Sequence, residues 1–411
     1  MTQAKKAPIT LQIAIASVPL LMMGVSAMTP VLATIQNAFP DVPATTINLV
    51  QTMPSLFTMV FALLAGMIAG RGKITYKRLV LFAIAIQTIG GIMPFFTGTS
   101  SFEMLLVSRA IFGIGNGIIF PMGQMLVYEY VQNKAQHTRI LSNNSLIMNI
   151  GGCFFQYAAG FLALINWQYV FLSYLLGVVS FVLVLVWLKK PENDFVEAED
   201  ATSREVEEKL PLGESFKRIP AFVWICLIFF GLSIIIGTPV TILASSYAEY
   251  LGESPVTAST ILVFYTIGGF VMGFLFPYLY KVTKRFSIAV ALIVEAVAYF
   301  IMFFGGSVVT ACVGELLAGA GIVIWQVSLQ KEIGLFCPRG ADSLASSIMM
   351  CLMNLGLFVG GFWGAFCIGF VGSDFIFDSW WISGICLLVL AVVTVLTHIK
   401  DRPEFHEEAG K

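Results

Sequence analysis

Val107-Ser108-Arg109-Ala110-Ile111-Phe112-Gly113-Ile114-Gly115-Asn116-Gly117 lies inside an apolar run long enough to span a bilayer, yet it carries an arginine. A charge at membrane depth costs roughly 3 kcal/mol or more, so Arg109 requires a polar partner, a wet cavity or both. The stretch has an echo in Val313-Gly314-Glu315-Leu316-Leu317-Ala318-Gly319-Ala320-Gly321. Arg109, Gly113 and Gly115 map onto Glu315, Gly319 and Gly321 at one constant spacing, with the charge reversed. The chain reads as two halves facing each other across a path, with these two helices at its wall.

The wider composition agrees. Of 411 residues, 58% are hydrophobic and only 11% are charged, too few charges to cover a soluble protein of this length. An all-α polytopic membrane protein is expected, and neither an enzyme nor a nucleic-acid binder. Apart from Arg109, every Lys and Arg falls in alternate loops or in the tails. The intervening loops hold Asp41, Glu249, Glu253, Asp374 and Asp378 without a single base. By the positive-inside rule both termini are cytoplasmic, in a bacterial-type inner membrane. Cys153, Cys226, Cys312, Cys351, Cys367 and Cys386 fall in apolar spans and Cys337 in a cytoplasmic loop, none at ligand spacing. Neither a metal, a disulfide nor any other cofactor is expected. His137, His398 and His406 all read as cytoplasmic, which excludes a membrane-embedded histidine relay.

At about 20 apolar residues per span, the chain holds about twelve helices. Six fall near 10–36, 46–70, 77–97, 102–131, 142–165 and 168–188, and six near 221–247, 256–280, 286–304, 308–330, 343–370 and 379–399. This gives a first six-helix bundle over 1–190, a polar acidic linker over 191–219, a second bundle over 220–400 and a tail over 401–411. A short surface helix is expected in the linker at 205–210. The halves repeat in order: Thr29-Pro30-Val31 as Thr238-Pro239-Val240, Gly66 with Lys77-Arg78 as Gly273 with Lys284-Arg285, and Met148-Asn149-Ile150-Gly151 as Met353-Asn354-Leu355-Gly356. Parallel six-helix repeats mark a transporter architecture that binds its solute near the midplane.

Six plus six spans, a basic loop after the second and an acidic linker resemble the major facilitator superfamily. Arg109-x-x-x-Gly113-x-Gly115 resembles that family's fourth-helix motif, and Trp167-Gln168-Tyr169-Val170-Phe171 resembles the start of its sixth helix. The resemblance covers the whole chain and implies two bundles related by a pseudo-two-fold, with alternating access. There are two departures. The loop motif after the second helix, Gly66 with Gly70-Arg71-Gly72-Lys73, lacks the family's acid, leaving Arg71, Lys73, Lys77 and Arg78 to contact helix ends or anionic lipid. The fifth helix has Gln156-Tyr157 where drug antiporters carry Gly-Pro.

The glycines read as helix-packing positions. Arg109 shares a face with Asn116, and Glu315 with Gln326. Arg109 is either a solute contact or a strut bonding helix-end carbonyls. Asn149 and Gln156 on the fifth helix, and Asn354 on the eleventh, are divided between interhelical glue and cavity wall. Tyr157, Tyr265, Trp325 and Trp363 are aromatic wall candidates, while Trp167, Trp380 and Trp381 read as interfacial belt residues. Pro30 and Pro239 are expected to break the first and seventh helices and free carbonyls toward the path, with Pro54 able to do the same in the second. Glu315 is the proton-coupling candidate. Glu295 falls on the ninth helix, a peripheral scaffold in the resembled fold.

The expected function is secondary transport of a small, largely apolar organic solute, extending to a monoanion that meets Arg109, with protons as coupling ion and lipids as surroundings. No Gly-x-x-x-x-Gly-Lys motif points to ATP. A monomer is expected. The alternatives are a proton-coupled drug exporter and, outside transport, a transporter-like receptor or lipid-handling protein.

Overall fold

The computed structural model describes residues 7–68, 75–97, 101–131, 133–189, 212–338 and 341–398, with 400 and 402. The expected linker helix at 205–210, Arg71 and the extreme termini lie outside them.

Regular structure among the described residues is helical throughout. α1 (Ile9–Met22) passes through two 3-10 segments, Met23–Ala27 and Thr29–Val31, into α2 (Leu32–Ala38). α3 (Ala44–Ile47) leads into α4 (Leu49–Ile68), followed by α5 (Tyr76–Thr97), α6 (Phe102–Tyr130) and α7 (Lys134–Ala163). A 3-10 stretch, Trp167–Leu175, opens α8 (Leu176–Trp187). Then come α9 (Leu212–Arg218), α10 (Ala221–Ile242), α11 (Ala244–Tyr250) and α12 (Pro255–Thr283). The series ends with α13 (Ser287–Gly305), α14 (Val308–Phe336), α15 (Asp342–Val371) and α16 (Asp378–Thr397).

Eleven described stretches are long and apolar enough to cross a membrane. One of them, Pro255–Gly305, holds both α12 and α13, joined by a 3-10 turn at Lys284–Phe286, which makes twelve crossings. Helix ends follow local chemistry. The Ser101 hydroxyl accepts from Met104 N at 3.3 Å with Glu103 in the first turn of α6, and Ser307 and Thr310 cap each other at the start of α14. Gly306 and Gly372, at φ +63° and +70°, end α13 and α15 in the left-handed conformation that glycine adopts without steric cost. The fifth crossing begins at Lys134, a good two turns before the apolar run itself, because its first turns are polar.

The chain forms two compact units: Met1–Pro191 with Thr241–Thr266, and Glu192–Val240 with Ile267–Lys411. In the first unit, Ala33 N donates to Ser245 Oγ (3.2 Å), Asn37 Nδ2 to Glu249 Oε1 (2.7 Å) and Ser259 Oγ to the Gln156 carbonyl (2.8 Å). Those bonds tie α11 and the start of α12 to α2 and α7.

The motif glycines do the same packing work in each unit. A Cβ on Gly113 would lie 2.6 Å from the Pro54 carbonyl of α4, and one on Gly115 would overlap the Gln87 backbone of α5. In the second unit a Cβ on Gly269 of α12 would lie 3.3 Å from the Gly319 carbonyl, and one on Gly321 would overlap Glu295 of α13. α6 and α14 therefore pack closely against the two helices that precede each in sequence. Small residues permit that contact where lipid supplies no hydrophobic drive.

Candidate functional site

Arg109 is 0% exposed. Pro54 has no N–H, so the Val50 carbonyl one turn earlier in α4 loses its helical donor. Arg109 Nε donates to that carbonyl at 3.0 Å, and Nη1 donates to the Tyr174 hydroxyl at 3.1 Å. The hydroxyl in turn donates to the Gly24 carbonyl at 2.9 Å, where α1 has loosened into 3-10 geometry. The guanidinium lies 4.4 Å from the Phe112 ring centroid and 5.5 Å from that of Tyr174. This is the strut arrangement. Only Nη2 remains buried without a hydrogen-bond partner.

The other polar candidates of the first unit divide. Asn116 accepts from Gln87 Nε2 (3.1 Å) and donates to Thr58 Oγ1 (3.4 Å), while Gln87 also reaches the Leu21 carbonyl (3.0 Å). Asn116 is thus glue among α1, α4, α5 and α6, and sequence reasoning missed Gln87, its buried partner. Asn149 folds back on its own helix to the Ser145 carbonyl. Gln156 is buried, and its Oε1 has no hydrogen-bond partner. Tyr157 is half-buried and stacks on Phe161 at 6.4 Å, and Tyr265 is half-buried on α12.

In the second unit Glu315 is 0% exposed, and neither carboxylate oxygen has a hydrogen-bond partner. Trp325, nearly three turns further along α14, is equally buried, packs edge-on to Phe230 at 5.5 Å and leaves its Nε1 without a partner. Gln326 is half-buried. Asn354 bonds the Met350 carbonyl, as Asn149 bonds Ser145, and Trp363 Nε1 donates to Ser383 Oγ at 2.9 Å. Buried polar atoms normally have partners, so orphans on Arg109, Gln156, Glu315 and Trp325 single out these four among the candidates.

Three expectations need correction. Trp380 is no belt residue: it is 0% exposed and donates to the Pro239 carbonyl at 3.2 Å. Around that proline, the Tyr299 hydroxyl donates to the Gly237 carbonyl (2.6 Å) and accepts from Val240 N (3.1 Å). α10 thus runs unbroken through Pro239, and the Gly237 and Pro239 carbonyls beside the proline are bonded by α13 and α16. Pro30 lies in the 3-10 segment Thr29–Val31, where the first crossing leaves the α-helical hydrogen-bond spacing. Glu295 is not peripheral: it is buried, its Oε1 is unpartnered, and it packs against Gly321 with Oε2 near Gly237. Of the loop motif, Gly66 has open space around it, Lys77 Nζ donates to the Leu185 carbonyl at 2.8 Å, and Arg78 borders an apolar groove of about 480 Å³ with Phe61, Leu64 and Phe82.

The structure also brings three ligating side chains together. Cys226, Glu332 and His398 are buried together, their donor atoms all within 4.8 Å of one another. No sequence spacing could reveal this, since the three come from α10, α14 and the end of α16. His398 Nε2 lies 3.2 and 3.3 Å from the Glu332 oxygens and 3.7 Å from Cys226 Sγ. Burial alone would lower the His398 pKa, but the Glu332 carboxylate and the Thr394 carbonyl outweigh it and raise the pKa above its ordinary value.

Residues 15–334 match the family model of the Major Facilitator Superfamily. No curated protein matches the chain by sequence. Among solved structures, the nucleoside transporter NupG superposes with a TM-score of 0.76 at 12% identity, covering 95% of this chain and 100% of that one. The POT family transporter PepTSo gives 0.74 at 13% identity, over 98% and 99% of the two chains. A D-xylose-proton symporter gives 0.70 at 15% identity, over 93% and 96%. At these identities the likeness is one of fold.

Proposed function

The chain belongs to the major facilitator superfamily, a membrane transporter rather than an enzyme, and on that premise we propose that it moves a small, largely apolar organic solute by alternating access, coupled to protons. The proposal keeps the two six-helix bundles, 1–190 and 220–400, as the moving halves, in a bacterial-type inner membrane with both termini cytoplasmic. The observation that carries it is Glu315, a buried acid with neither oxygen bonded. Burying a charge without a partner is costly, and a proton is the smallest partner such a site can take.

The solute's character follows from what the polar groups already do. Asn116, Asn149, Asn354 and Trp363 are committed to neighbouring protein groups, and Arg109 spends two of its three nitrogens on Val50 and Tyr174. Few donors remain for a densely hydroxylated solute, and a neutral or weakly polar one is favoured over a monoanion. Gln156, Trp325 and the half-buried Tyr157, Tyr265 and Gln326 are the contacts proposed for it.

Reconstitution into proteoliposomes tests this reading. A transporter shows counterflow of a labelled solute, and a proton-coupled one concentrates it when a pH gradient is imposed. Binding without counterflow supports a transporter-like receptor instead, and accumulation only with the outward-directed sense of an exporter supports drug efflux.

A further inference from the structure

We propose that Cys226, Glu332 and His398 form a binding site for a divalent transition-metal ion of the zinc class, which clamps α10, α14 and α16 together. The Thr394 carbonyl lies 3.0 Å from His398 Nδ1 and can only accept, so Nδ1 carries the hydrogen. Nε2 then faces two carboxylate oxygens, at 3.2 and 3.3 Å, with a lone pair. Lone pair and carboxylate repel unless a positive centre sits between them. A proton on Nε2 satisfies that pair, and a metal ion satisfies it while also using the Cys226 sulfur, 3.7 Å from Nε2.

A metal ion uses all three donors. Zinc bond lengths imply tetrahedral edges of about 3.4 Å between nitrogen and oxygen and about 3.6 Å between nitrogen and sulfur. The separations here are 3.2 Å and 3.7 Å. Sulfur, imidazole and carboxylate are the donor set that zinc prefers, and calcium and magnesium avoid. The hydrogen bond from Nδ1 to Thr394 orients the ring in the way that outer partners orient ligating histidines. On binding, the Cys226 thiol releases its proton to solvent. Thiolate and carboxylate together then balance the two charges of the ion.

The neighbouring charge is Arg402, whose guanidinium stacks 3.6 Å from the Phe222 ring, itself edge-on to Phe336 at 4.9 Å. Its charge opposes a cation at the site, which the Glu332 carboxylate beside it offsets. All of these residues belong to the second unit.

The test uses the full-length protein in detergent, stripped with a chelator and titrated with Zn2+ and, as a spectroscopic probe, Co2+. The expected result is a single ion per chain by elemental analysis, with a thiolate-to-cobalt charge-transfer band and the intense visible bands of four-coordinate cobalt. Cys226→Ser should abolish the charge-transfer band, and Glu332→Gln or His398→Gln should weaken binding by about a hundredfold or more, beyond a typical outer-shell loss. Zn2+ should raise the melting temperature of the unmodified protein and leave that of Cys226→Ser unchanged. Six further cysteines are present, so the difference between unmodified protein and Cys226→Ser is the quantity read. Cobalt bound without a charge-transfer band, a band that survives Cys226→Ser, or no saturable Zn2+ binding by the unmodified protein would each overturn the site. None of these readouts depends on transport, so failure here leaves the transporter reading intact.

Discussion

The Tyr174 hydroxyl stands between Arg109 and the first crossing: it accepts from Arg109 Nη1 at 3.1 Å and donates to the Gly24 carbonyl at 2.9 Å. One hydroxyl thus serves the buried cation and a carbonyl at the loosened turn after α1. The counterpart in the second half, 206 residues on, is Trp380, which donates to the Pro239 carbonyl at 3.2 Å. An indole has a donor but no lone pair to offer, and the counterpart of Arg109 is Glu315, which finds no partner at all. In each half a side chain of the sixth crossing donates to a backbone carbonyl of the first. Only the first shares it with a charge.

Tyr174→Phe should therefore destabilise the first unit by about 1–3 kcal/mol, because it strands a carbonyl and an N–H in a buried place. Arg109→Lys should cost a similar amount, since an ammonium cannot reach Val50 and Tyr174 in the planar fork that the guanidinium uses. Thermal unfolding in detergent measures both. Neutral-solute affinity should stay near normal in whatever fraction remains folded. Wild-type melting in both variants would remove Arg109 from the role of strut.

Gly115→Ala should lower stability and membrane yield sharply, because its Cβ would overlap the Gln87 backbone, which has no room to move within α5. Gly66→Ala should be neutral or slightly stabilising, by roughly 0.5–1 kcal/mol, since no atom lies within 4 Å and alanine suits a helix better. Size-exclusion profiles and melting curves distinguish them. Equal behaviour of the two variants would mean that α6 does not touch α5 as closely as Gly115 requires.

The twelve crossings were legible because hydrophobic length and charge sorting are properties of local sequence, and α6 and α14 begin and end close to where Arg109 and Glu315 required spans. Their glycines, too, declared close packing. What could not be read was where each polar side chain finds its partner. Pro54 was recognised as a helix breaker, yet that it frees the Val50 carbonyl for Arg109 depends on how α4 and α6 register. Trp380 was placed at an interface because tryptophans near span ends usually sit there, and burial against Pro239 overrode that tendency. Cys226, Glu332 and His398 carried no signal because their meeting is set by three helix ends, not by spacing. Glu295 looked peripheral for the same reason: its neighbours Gly237 and Gly321 lie on other helices.

The proposed sidedness rests on the sorting of Lys and Arg, and it makes its own prediction. Cysteines introduced at Asp41, Glu253 or Asp374, all exposed, should react with membrane-impermeant thiol reagents added to intact cells. A cysteine at Ser203 should react only after permeabilisation. Labelling of Ser203→Cys in intact, right-side-out cells would reverse the orientation and place the linker outside.

Two buried acids are candidates for the proposed coupling role, and their surroundings differ. Glu295 packs its Cγ against Gly321 and holds one oxygen near Gly237, and only its other oxygen, Oε1, is an orphan. Glu315 has both oxygens orphaned at 0% exposure, on the helix whose first-half counterpart carries Arg109. An acid with no internal partner gains most from carrying a proton when sealed, and has least to give up when water reaches it. Glu315→Gln fixes the protonated form in nearly the same volume. Accumulation of solute against its gradient should vanish, while exchange of labelled for unlabelled solute, which needs no net proton movement, should continue. Glu295→Gln should keep gradient-driven accumulation within about twofold of the unmodified protein, the variation expected of an isosteric change outside the coupling step. Proteoliposomes loaded at one pH and diluted into another read both quantities in the same preparation. Retained pH-driven accumulation in Glu315→Gln, together with its loss in Glu295→Gln, would move the coupling proton one helix over, to the acid that Gly321 leaves room for.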